Sequence, residues 1–208
     1  SAMAANVTSA GDGTVAIGHE ALVVLTSGQK NLAIGFQAQK ETTIGDSNIA
    51  IGYNAMFGDA GLQNDNNIAI GSENAAGSVL AAMGGQWTSN RCENNIAIGV
   101  GSLAGAMNDS HNNTAVGYKS LNAVTTGDRN TAIGSASGQA LTSGENNVAI
   151  GSDALYYASN DTDDNVAIGV NAMAGNFNTA AVHDCVAIGS GSLDGVLTSA
   201  ASGAVAVG

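Results

Sequence analysis

A short phrase ending in Ala-Ile-Gly or Ala-Val-Gly recurs eleven times along this chain. Its closing glycines are Gly18, Gly35, Gly52, Gly71, Gly99, Gly117, Gly134, Gly151, Gly169, Gly189 and Gly208. Successive spacings are 17, 17, 19, 28, 18, 17, 17, 18, 20 and 19 residues. So regular a period specifies one small unit stacked on itself, a solenoid that offers length and surface instead of a buried cleft. The organisation expected is a lead-in over 1-13 and a single repeat domain over 14-208, with an inserted loop at about 72-94 where the spacing reaches 28. Ser1-Ala2-Met3 has the form of a tag-cleavage scar, and the whole is expected to be a segment of a longer protein.

Aligned on the closing glycine, every copy has Ile or Val one place before it and Ala two places before it. Val, Ile, Leu or Thr stands three places before, and Asn four places before in eight copies: Asn31, Asn48, Asn67, Asn95, Asn113, Asn130, Asn147 and Asn165. Alternation with period two predicts a short strand, with β-branched residues on one face and alanine on the other. The glycine is expected to turn a corner that no side chain fits, and the asparagines to cap the turn before the strand and bond one another up the stack. A second short strand is expected after it, at pairs such as Ala21-Leu22, Ala55-Met56, Ser120-Leu121 and Ala154-Leu155. The class is therefore all-β, a parallel β-roll of about ten to eleven coils of 17–20 residues.

A coil so narrow holds one apolar layer, and on this reading Ile, Val and Leu fill it while the alanines form a flat outer strip. Exposed apolar strips pack against something, and small residues allow close backbone approach. The expectation is a parallel homotrimer whose interface is Ala16, Ala33, Ala50, Ala69, Ala97, Ala115, Ala132, Ala149, Ala167 and Ala187, with Ala206 continuing the column. At strand spacing, the rod would be about 50 Å long.

The phrases Asn-Ile-Ala-Ile-Gly, Asn-Val-Ala-Ile-Gly and Asn-Thr-Ala-Val-Gly resemble the head repeats of YadA-like trimeric autotransporter adhesins, over Thr14 to Gly208. The longer repeat Thr125 to Gly134 is similar to repeats of phage tail fibres. The first resemblance implies a trimer of left-handed parallel β-rolls, a left-handed β-solenoid. Both imply a trimeric attachment fibre, outside the cell on a bacterial surface or a virion, that binds a host cell-surface protein or glycan.

Residue chemistry points away from catalysis. There is no Gly-x-Ser-x-Gly elbow or dinucleotide fingerprint, and His19, His111 and His183 fall in different repeats. Ile150 to Leu155 matches one hexapeptide of acyltransferase β-helices, but Tyr156 and Thr162 stand where aliphatics should recur. Ice binding would need a regular threonine ladder. Asp161, Asp163 and Asp164 cluster in one turn without the calcium-repeat motif, and Cys92 and Cys185 fit no metal spacing. No enzyme activity, cofactor or metal is expected. A net charge of -12 opposes nucleic acid and anionic lipid, and no segment is apolar enough for membrane insertion.

On a regular rod, binding belongs to the irregular loops. The candidates are Trp87 with Gln86 and Arg91 in the insertion, then Tyr156, Tyr157 and Phe177. A structural spacer, with binding done elsewhere in a longer protein, is the alternative.

Overall fold

The computed structural model describes residues 12–58, 63–72, 81–85, 91–158, 162–176, 181–198 and 201–208. Eleven three-residue strands, one per repeat, form a single sheet: β1 Val15–Ile17, β2 Leu32–Ile34, β3 Ile49–Ile51, β4 Ile68–Ile70, β5 Ile96–Ile98, β6 Thr114–Val116, β7 Thr131–Ile133, β8 Val148–Ile150, β9 Val166–Ile168, β10 Val186–Ile188 and β11 Val205–Val207. The sheet runs β1 to β11 in chain order. Each strand is parallel to the next and in register, so alanine sits over alanine from Ala16↔Ala33 to Ala187↔Ala206. The chain is thus a β-solenoid.

The faces of these strands are opposite to the expectation. Ala33, Ala50, Ala69, Ala97, Ala115, Ala132, Ala149, Ala167 and Ala187 are buried inside the single chain, and only Ala16 and Ala206, in the terminal strands β1 and β11, are partly open. The buried alanines cannot form an interface between copies. The flanking Ile, Val, Leu and Thr residues point outward instead and are partly exposed, where the alanine between them is buried.

The reason lies in the segment after the glycine, which is not a second strand. Its residues two and four places on adopt left-handed backbone, as in Glu20 and Leu22 (φ 57 and 50), Lys119 and Leu121 (φ 55 and 46), and Asp153 and Leu155 (φ 56 and 54). A strand would send neighbouring side chains to opposite sides. This alternation of hand turns both members of each pair inward: Ala21 with Leu22, Ala55 with Met56, Ser120 with Leu121 and Ala154 with Leu155 are all buried. The ribbon is still bonded along the rod, through Leu22 N–H to the Ala38 carbonyl (3.1 Å) and Leu155 N–H to that of Ala172 (2.9 Å). Leu and Met from the ribbon occupy the interior, which leaves room for only a methyl group opposite.

Two devices fix the coil's corners. At Gly134 (φ +139) an added Cβ would lie 2.4 Å from the Gly151 carbonyl oxygen of the next coil, so conformation and space both demand glycine. At the other corner the asparagines form a continuous buried ladder. Asn113 Oδ1 accepts from the backbone N–H of Asn130 (2.9 Å) and from its Nδ2 (3.1 Å). Asn113 Nδ2 donates to the Gly127 carbonyl (2.8 Å). Each amide therefore caps the turn of the next coil. Cys185 takes the ladder position after Asn165, and its thiol donates to the Ala201 carbonyl (3.1 Å).

One interior position is poorly matched. Gln39 stands in the Leu22–Met56 column, fully buried, with Nε2 on the Leu32 and Asn48 carbonyls (both 3.2 Å) and Oε1 without a partner. Gln39→Met keeps the volume and removes the orphaned oxygen, and Met56 adopts the same left-handed backbone. Thermal melting should show a gain of about 1 kcal/mol.

Candidate functional site

Two surfaces stand out. The first is the outer face of the sheet. One column contains Ile17, Ile34, Ile51, Ile70, Ile98, Val116, Ile133, Ile150, Ile168, Ile188 and Val207. Beside it run Val15, Leu32, Ile49, Ile68, Ile96, Thr114, Thr131, Val148, Val166, Val186 and Val205, and neither column contains a charge. Three residues of width and eleven strands of length give a patch of roughly 500 Å², the size of an interaction surface.

Phe36, Tyr53 and Tyr118 follow the closing glycines of their repeats and are about half exposed. His19 stacks on Phe36 with centroids 5.3 Å apart, and Phe36 on Tyr53 at 5.0 Å. The sequence placed His19 only as one of three histidines in different repeats, and this column did not stand out in it. Its signal was present, since His19, Phe36 and Tyr53 hold the same repeat position at 17-residue spacing. Beside it, bonds from Gln37 and Lys40 hold the Glu20 carboxyl below the usual carboxylate range.

The second surface consists of the irregular positions. Trp87, Gln86 and Phe177 lie outside the described residues. Arg91 is half exposed and is held against the rod by polar contacts. Its Nε donates to the Gln63 carbonyl (2.9 Å), and its Nη2 pairs with Asp65 (3.2 Å) and Glu93 (2.5 Å). It clamps neighbouring coils across two carboxylates. Within the expected insertion of 72-94, Met83 lies in the stack, and its N–H bonds the Ser102 carbonyl (3.0 Å).

Tyr156 and Tyr157 form an edge-to-face pair, with centroids 4.4 Å apart and planes at 82°. With Asp153, Asn171 and Ala174 they line a cleft of about 230 Å³. Neither Asp153 nor Asn171 stood out in the sequence, because their proximity depends on stacking of consecutive coils.

Asp163 Oδ1 accepts the Glu145 N–H (2.8 Å), its Oδ2 lies 3.5 Å from His183 Nδ1, and Asp161 lies outside the described residues. Among the described residues no three His, Cys, Asp or Glu side chains are grouped to hold a metal ion. Cys92 and Cys185 are both buried. Among the described residues no helix is long and apolar enough to cross a membrane. The chain matches no protein-family model, no curated protein and no solved structure.

Proposed function

We propose that this chain is a segment of a non-enzymatic attachment fibre, a parallel homotrimer of left-handed β-rolls that presents loops to a host surface protein or glycan. The observation that carries this reading is the uncharged aliphatic face running the length of the sheet. Water is a poor partner for such a face, and identical copies are a good one. The columns repeat at one strand spacing, so a parallel copy in register meets the same environment at every coil. With two columns per chain, a three-fold axis lets the isoleucine column of one copy pack beside the valine-rich column of the next. The resemblance of the Asn-Ile-Ala-Ile-Gly phrase to adhesin and tail-fibre repeats supports the same arrangement. The place of this fibre would be extracellular, on a bacterial surface or a virion.

Light scattering on the purified chain tests the assembly. The mass expected is near three times 20.3 kDa. A single-chain mass in dilute solution would overturn the fibre reading. Binding of the trimer to host cells separates an attachment segment from a spacer.

A further inference from the structure

We propose that the cleft formed by Tyr156, Tyr157, Asp153, Asn171 and Ala174 is a binding site for one neutral hexose residue of a glycan. The proposal rests on the attachment reading and names the ligand class of one loop region.

The cleft originates in a local break of the repeat. Tyr156 and Tyr157 stand five and six places after Gly151. The same places contain Gln139 and Ala140 one coil earlier, and Ala174 and Gly175 one coil later. Two large rings therefore overhang small neighbours, and a recess opens beside them. Gly175 cannot be filled in compensation, because an added Cβ would meet the Gly195 carbonyl at 1.8 Å.

The polar wall is set by the stack itself. Asp153 and Asn171 hold the same place in adjacent coils, both left-handed (φ 56 and 57). Asn171 N–H bonds the Ser152 carbonyl (3.0 Å), which fixes them one strand spacing apart. One Asp153 oxygen, Oδ2, accepts from the Ser152 hydroxyl (2.8 Å). The Asn171 side-chain amide makes no hydrogen bond among the described residues, so donor and acceptor groups are both available to a ligand.

This combination suits a sugar. A pyranose presents a patch of C–H groups that lies on an aromatic face, while its hydroxyls donate to a carboxylate and accept from an amide. In edge-to-face geometry one ring covers a single face of the other, and Tyr157 is 51% exposed. By contrast, the parallel rings of His19, Phe36 and Tyr53 cover one another and leave mainly edges. Among the described residues no cationic side chain lines the cleft, and Asp153 within a chain of net charge -12 repels carboxylated, sulfated or phosphorylated sugars. In a trimer the site occurs three times, which raises a weak single-site affinity on a dense surface.

The test is a printed array of neutral oligosaccharides ending in galactose, glucose, mannose or N-acetylhexosamine, with sialylated and sulfated counterparts. It is probed with the unaltered chain, Tyr157→Ala, Asn171→Gly and the control Tyr53→Ala. Asn171→Gly tolerates the left-handed backbone, and melting and scattering mass are recorded for each protein. The result expected is retention on neutral glycans, reduced about tenfold or more in Tyr157→Ala and Asn171→Gly and unchanged in Tyr53→Ala. Equal retention by Tyr157→Ala would overturn the cleft as the site and leave the attachment reading intact. A preference for sialylated or sulfated glycans would overturn the ligand class. Retention of no glycan by a chain with trimer mass would overturn the sugar site alone, whereas a single-chain mass would overturn the fibre reading.

Discussion

Carboxylates placed on the outer face, Ile98→Asp together with Ile133→Asp, are expected to leave each chain folded and to reduce the assembly to monomers. Ile98 and Ile133 are 38% and 41% exposed in the single chain, so their replacements stay in water there. Changes at such positions alter folding stability by about 0.5 kcal/mol. In a trimer packed through this face, two rings of three carboxylates would converge on one axis. Each buried, unpaired charge costs several kcal/mol. Light scattering should therefore fall from near three chains to one, while circular dichroism keeps the β signature. An unchanged mass would show that copies meet elsewhere. The experiment also separates the two columns of the repeat, because the original expectation placed assembly on the alanines.

Enlarging one of those alanines is expected to do the reverse and damage the fold itself. Ala132 is fully buried, and its Cβ lies across from Gly138, into whose space the Leu121 side chain already reaches. Ala132→Leu adds three carbons where no room exists, at a cost of about 3 kcal/mol. In a solenoid each coil contacts only its neighbours, so the loss should be local, around β6 to β8. A lowered or split melting transition and new protease cleavage near residue 132 are the expected signs. Ile133→Ala, one residue on, should cost far less. If Ala132→Leu melted like the unaltered chain while Ile133→Ala collapsed, the assignment of inside and outside would be wrong.

Much of the fold is legible in the repeat. The fixed phase of Gly35, Gly52, Gly117 and Gly134 marks a corner, and eight asparagines at one place mark a hydrogen-bonded column. Both follow from local chemistry, backbone angle in one case and side-chain amide geometry in the other. The candidate cleft was only half legible. Tyr156 and Tyr157 break the pattern visibly, but Asp153 and Asn171 look like ordinary turn residues until consecutive coils are stacked. The ion pair of Arg91 with Asp65 was not legible, because Asp65 lies in the preceding coil, whose facing residues an unpaired sequence does not reveal.

The sequence by itself determined that the chain winds into stacked coils, that the phrase before each closing glycine is a short strand, and that alanine and the β-branched residues take opposite faces of it. Tertiary structure alone decided which face is interior. The left-handed residues after each glycine, such as Lys119 and Leu121, turn Ser120 and Leu121 inward together. A large side chain from that ribbon fills the narrow coil, only a methyl group fits against it, and Ile and Val are left on the outside.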